Sequence, residues 1–156
     1  MKKKCKIGDK IPNFKIPLSD GNNLDSKDIK DKKYVLYFYP KDNTPGCTTE
    51  AKDFSSKIRE FKKLNTEVIG ISKDSIETHL KFINKQELKI TLASDEDGKV
   101  IEKFGVWVEK NMYGRKYMGI ERSTFLINDE GILVEEWRKV KVKGHAQAVL
   151  DTIDKN

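Results

Sequence analysis

Two cysteines in 156 residues, Cys5 and Cys47, are too few for a disulfide framework. No group of Cys, His and carboxylate residues has zinc-ligand spacing, so neither a metal nor a cofactor is expected. Cys47 has no CxxC partner, because residues 48–50 are Thr, Thr and Glu. Thioredoxin-type dithiol chemistry therefore lacks its second thiol, and the cysteine usage points to a reducing compartment. Long hydrophobic runs are absent as well: none approaches the roughly 18 apolar residues of a membrane span. The start, MKKKCKIGDK, is basic but has no apolar segment behind it, so it reads neither as a signal peptide nor as a lipidation site at Cys5. The expected location is the cytoplasm, without a membrane partner. Arginine is scarce. Only Arg59, Arg115, Arg122 and Arg138 stand among 31 basic residues, and the lysines alternate with acids. The net charge of +6 thus reads as a solvated surface, and no nucleic-acid partner is expected. No repeat or Pro/Gly/Ser-rich linker divides the chain, which reads as one domain over 1–156 with residues 1–6 as a mobile tail.

What is present is an alternation of apolar patterns. NFKIPLSDG (13–21) reads as a short strand ending in an Asp-Gly turn, and KYVLYFYP (33–40) as a strand buried on both faces that stops at a proline. Ala51, Phe54, Ile58, Phe61 and Leu64 then fall at steps of three and four, the stripe of a helix starting near Pro45. EVIGIS (67–72) is a second buried strand. DSIETHLKFINKQEL (74–88) is a second helix, with Asp74 and Glu77 spaced as a capping box. A short strand (90–98) and a short helix closed by Gly105 follow. NMYG suggests a hairpin turn within 106–121, and RSTFLINDEGILVEEW (122–137) reads as a further hairpin. A terminal helix carries Ala146, Val149, Leu150 and Ile153 on one face. This order fits an α/β fold with a mixed central sheet and helices on both faces, of which the thioredoxin fold is an example.

Cys47 falls in the first turn of the helix after a buried strand. Free backbone N–H groups and the helix dipole favour a thiolate there, and the strand–loop–helix geometry is expected to keep it near solvent. Pro45 suits an early helical position, Gly46 removes a side chain that would crowd a substrate, and Thr44 can cap the helix or donate to a ligand oxygen. The same features also suit an inert buried cysteine at an ordinary helix entry. A Cys–His hydrolase would need His79 or His145 as its base, but both positions suit packing or capping better.

The stretch Pro40-Lys-Asp-Asn-Thr44-Pro45-Gly46-Cys47-Thr48 resembles the peroxiredoxin active-site motif, P-x-x-x-T/S-x-x-C. Its TPGCT form is similar to the bacterioferritin comigratory protein, or peroxiredoxin Q, subgroup. The segments 7–21, 68–75, 92–107, 121–133 and 142–150 resemble family segments in family order. The resemblance implies a thioredoxin-like fold with peroxiredoxin additions and an enzyme that reduces hydrogen peroxide and organic hydroperoxides. Cys47 would attack peroxide and become a sulfenic acid. Thr44, Gly46 and Arg122 would bind the substrate, Pro40 would shield the sulfur, and Arg122 would stabilise the charge that moves across the O–O bond.

The pattern breaks at the resolving thiol. Many members of the subgroup carry a cysteine five residues after the peroxidatic one, where this chain has Lys52. Others place it in the next helix, where Ile83 stands. Only Cys5 remains, as a candidate resolver on a flexible tail. The favoured expectation is a one-cysteine mechanism with an external thiol from thioredoxin, glutaredoxin or a small molecule, in a monomer or weak homodimer. A peroxide sensor or relay protein, and a non-enzymatic interaction domain on the same fold, are the rival readings.

Overall fold

The computed structural model describes residues 5–154. Its frame is a five-stranded sheet built outward from β3 (Lys33–Phe38). β4 (Thr66–Ser72) and β5 (Thr91–Ser94) extend it in parallel on one side. β8 (Ser123–Ile127) and β9 (Leu133–Trp137) extend it antiparallel on the other, giving the order β5-β4-β3-β8-β9. The mixed sheet is as expected, and the Asn128–Gly131 turn closes the β8–β9 hairpin.

The alternation of β3 assigns its side chains to two cores. Tyr34, Leu36 and Phe38 face one of them with Phe14, Ile101, Phe104 and Phe125. Val35, Tyr37 and Tyr39 face the other with Phe54, Phe61, Phe82 and Val149. The first core is covered by α4 (Lys99–Lys103) and the N-terminal segment. The second is covered by α1 (Pro45–Ser56), α2 (Ile58–Lys63), α3 (Ile76–Gln86) and α5 (His145–Asp154). Helices thus lie on both faces. Gly70 on β4 makes room for this packing: a Cβ there would meet the Tyr37 ring at 2.6 Å. Two antiparallel ribbons sit outside the main sheet, β1 (Lys15–Pro17) with β2 (Asn23–Asp25), and β6 (Trp107–Met112) with β7 (Arg115–Ile120). Tyr113 and Gly114, both at positive φ, turn the second ribbon, which is the hairpin that NMYG suggested.

Three expectations are corrected. The first helix is interrupted at Lys57, whose N–H reaches back to Phe54 and Ser55 carbonyls, so the apolar stripe continues through a second short helix. The second helix is capped by Ser75, which accepts from the Thr78 N–H, while Asp74 is drawn away to the Ser72 hydroxyl and the Asp42 N–H. The expected tail, residues 1–6, lies outside the described residues over 1–4 and fails at Cys5. That side chain is 1% exposed in the first core. The segment behind it is tied down by Gly8 N–H to Leu133 O at 2.8 Å, Leu133 N–H to Asp9 O at 2.9 Å and Ile11 N–H to Gly131 O at 3.0 Å. Among the described residues, no helix is long and apolar enough to cross a membrane.

Candidate active site

β3 delivers the chain to Pro40, residues 40–44 form a loop, and α1 begins at Pro45, which places Cys47 in the first helical turn. Thr44 occupies the N-cap position with extended backbone, and its carbonyl accepts from the Thr48 N–H at 2.9 Å. Its side chain does not cap the helix. The hydroxyl donates instead to Lys41 O at 2.9 Å, which closes the loop on itself and leaves the oxygen's lone pairs for a donor. Cys47 is 1% exposed, packed in the second core with Tyr37, Tyr39 and Phe54, so the expectation of a thiol near solvent is also corrected.

Arg122 arrives from the other side of the site, one residue before β8. Its Nη2 donates to Cys47 Sγ at 3.3 Å, and its Nη1 donates to Glu50 Oε1 at 2.6 Å. One guanidinium therefore bridges the thiol and a carboxylate that share a face of α1. Gly46 permits the approach, since a Cβ there would lie 3.3 Å from Nη2. Burial pulls the Arg122 pKa down, but the Glu50 charge and the Cys47 sulfur outweigh it and hold the group above its ordinary value. Glu50 goes the other way. At 1% side-chain exposure, burial outweighs the attraction of Arg122 and pushes its carboxyl up to about 7. Its Oε2 and the Tyr37 hydroxyl are buried without hydrogen-bond partners, and Tyr37 is pushed well above its usual range by burial, then by the Glu50 and Cys47 charges. Lys110 on β6 lies within electrostatic reach: burial lowers its pKa, the Arg122 charge adds to this, and Cys47 opposes it.

The structure thus brings Thr44, Gly46, Cys47 and Arg122 together, with Pro40 at the head of the same loop. It does not bring Cys5, which lies across the sheet in the first core while Cys47 lies in the second. Lys52 is exposed on α1 and Ile83 packs against the second core from α3. Neither histidine is placed as a base for the thiol. His145 begins α5, with Nε2 2.7 Å from the Thr124 hydroxyl and ring contacts to Phe54 and Trp137. Burial, then the Arg122 charge, lowers its pKa to about 4. His79 is buried against Asp42. Among the described residues, Asp42, Asp74 and His79 form the one group close enough to share a metal ion. Asp42 Oδ2 and His79 Nδ1 are already bonded to each other, so their donor atoms are engaged. The residues missed in the sequence were Glu50, Lys110 and Asp42. Of these, Glu50 alone had a local signal, its position three residues after Cys47 on a helix.

A thiol at a helix start, bridged by an arginine and preceded by a Pro-loop-Thr segment, defines a class of thiol enzymes acting on small oxidants. The AhpC/TSA family profile matches residues 7–136. The chain belongs to this family and is a peroxiredoxin, a thiol-dependent peroxidase acting on hydroperoxides. It is 50% identical over 147 residues to Peroxiredoxin Bcp of Bacillus subtilis, covering 94% of each chain. It superposes on a cysteine-to-serine mutant of PrxQ from Xylella fastidiosa with a TM-score of 0.92 and 41% identity, covering 97% of this chain and 96% of that one. A Xanthomonas campestris bacterioferritin comigratory protein, studied for alkyl peroxide reduction, gives a TM-score of 0.88 at 42% identity, covering 94% and 98%. These similarities place the chain in the Bcp/PrxQ subgroup, with a thioredoxin-type fold.

Proposed function

We propose that Cys47 is the peroxidatic residue, in a one-cysteine cycle resolved by an external thiol. The observation that carries this is the Arg122 guanidinium, 3.3 Å from Cys47 Sγ and held in place by Glu50. A permanent cation touching sulfur favours the thiolate and follows the charge as it moves. In the first step an S–O bond forms, the O–O bond breaks, and the leaving alkoxide or hydroxide takes up a proton to become alcohol or water. The sulfur is oxidised to a sulfenic acid and the peroxide is reduced. Thr44 and the backbone N–H groups around Gly46 and Cys47 orient the peroxide, and Pro40 shields the sulfur.

In the second step an external thiolate attacks the sulfenic sulfur and the S–O bond breaks. The leaving hydroxide takes the proton that the incoming thiol gave up to become water, and the mixed disulfide left behind is reduced by a further thiol. Lys52 and Ile83 at the subgroup's usual resolving positions, and Cys5 across the sheet, support an external donor. Because Cys47 is 1% exposed, the start of α1 must open to admit that donor. The substrates are hydrogen peroxide and organic hydroperoxides, and the reductant is thioredoxin, glutaredoxin or a small thiol. The setting is the reducing cytoplasm, for a monomer or weak homodimer. Cys47→Ser tests the reading: it is expected to abolish peroxide consumption supported by a thiol reductant, and retained activity overturns it.

A further inference from the structure

We propose that Asp42 and His79 form a buried positioning pair that fixes the conformation of the loop presenting Thr44 and Cys47 to peroxide. The inference rests on the assignment of Cys47 as the peroxidatic residue. Both side chains are fully buried, and the distance between Nδ1 and Oδ2 is 2.6 Å. His79 Nε2 lies 2.9 Å from the Ala93 carbonyl, which can only accept, so Nε2 carries a proton. Asp42 Oδ1 accepts from the Tyr39 hydroxyl at 2.5 Å. Every bond is satisfied when one further proton lies between Nδ1 and Oδ2. The pair is then neutral as a whole, and it adds no uncompensated anion beside the Arg122–Cys47 contact.

Its anchorage reaches several elements. Tyr39 directly follows β3, His79 belongs to α3, and Ala93 belongs to β5. The Asp42 N–H donates to Asp74 Oδ2 at 2.8 Å, and that oxygen also accepts from Ser72 at the end of β4. Asp42 is thus held by side chain and backbone together. The next residue, Asn43, has φ +67°, a left-handed turn that asparagine accepts more readily than other non-glycine residues. Thr44 follows directly, its hydroxyl tied back to Lys41 O. Anchoring Asp42 on one side of the left-handed residue sets where Thr44 and the first turn of α1 begin. A misplacement of about 1 Å in such a site costs about a hundredfold in rate, so burying a polar pair to prevent it has a functional return.

The test compares two reactions of Cys47 in the full-length protein: single-turnover oxidation by hydrogen peroxide, and alkylation by iodoacetamide with the modified residue identified by mass spectrometry. Loss of loop geometry lowers the first relative to the second, whereas general loosening exposes the thiol to both. Asp42→Ala and His79→Ala are expected to lower the peroxide-to-iodoacetamide ratio about tenfold or more, and the double variant no further than either single one. Asp42→Asn is expected to stay close to the unaltered ratio, because its amide can donate to neutral His79 while its oxygen accepts from Tyr39. An unchanged ratio in the alanine variants, multiplicative loss in the double variant, or an Asn variant as impaired as Ala each overturns the inference. If the alanine variants do not fold, nitrogen-15 NMR of His79 in the unaltered protein decides. Two slowly exchanging, hydrogen-bonded ring N–H protons, or one with its bonded proton on Asp42, support the pair; a ring nitrogen open to solvent overturns it. Failure of the Cys47 assignment is distinct: the unaltered protein would then oxidise no faster than an ordinary thiol.

Discussion

Replacing Glu50 by glutamine isolates the cost of holding a carboxylate beneath the arginine. Burial pushes the Glu50 carboxyl from 4.5 to about 7, with the Arg122 attraction already offsetting part of the penalty. A group whose folded pKa lies above its unfolded one contributes full relative stability below the unfolded value. That contribution is lost as pH rises through the folded value. For Glu50 the loss runs from near pH 4.5 to above pH 7, and a difference of this size amounts to about 3 kcal/mol by pH 8. Glutamine copies the protonated form: its Oε1 still accepts from Arg122 Nη1, and no charge is buried.

Thermal or urea unfolding under reducing conditions, at intervals from pH 4.5 to 8.5, reads the effect. The two proteins are expected to coincide near pH 4.5 and to diverge above it. By pH 8 the glutamine variant should be more stable by up to about 3 kcal/mol, roughly 6–12 °C in Tm for a chain of this size. Peroxide oxidation of Cys47 should survive in Glu50→Gln and fall about tenfold in Glu50→Ala, which leaves the guanidinium without its tether. Parallel stability profiles for the unaltered protein and Glu50→Gln would refute the reasoning. They would mean that the arginine, not burial, governs the carboxyl.

Gly46→Ala adds a Cβ 3.3 Å from Arg122 Nη2 at an ordinary backbone conformation, so it displaces the guanidinium without straining φ; single-turnover peroxide oxidation should slow about tenfold. One equivalent of peroxide followed by thiol mapping under non-reducing conditions should trap a sulfenic acid on Cys47. A Cys5–Cys47 disulfide would require Cys5 to leave the opposite core, and finding one refutes the one-cysteine cycle. His145, lowered to about 4 by burial and then by the Arg122 charge, contributes stability that is present above about pH 6.5 and lost as pH falls through 4. His145→Gln should flatten that acid limb in a pH series of unfolding curves, and an unchanged limb counts against the assignment.

The parts of this structure that could be read in the sequence are those set by neighbours in the chain. Lys33–Phe38 is apolar on both faces because it lies between two cores, and Pro45 starts α1 because a first-turn residue needs no N–H. Cys47 and Arg122 are 75 residues apart. Family resemblance alone joined them, because spacing could not. Where prediction failed, another partner had overruled the expected one, through long-range bonds for Asp74 and Cys5 and within the loop for Thr44. Asp74 has the chemistry of a cap, but the Asp42 backbone and Ser72 claim its carboxylate, so Ser75 caps instead. Cys5 sits in a lysine-rich stretch that reads as a tail, yet bonds between residues 8–11 and 131–133 draw it into the core. Thr44 gives its hydroxyl proton to the loop rather than the helix. The last two cases bear directly on mechanism. A thiol that reads as free to reach Cys47 is held on the far side of the sheet, and a hydroxyl that reads as a cap or a donor to a ligand is left at the head of α1 with lone pairs open to a peroxide proton.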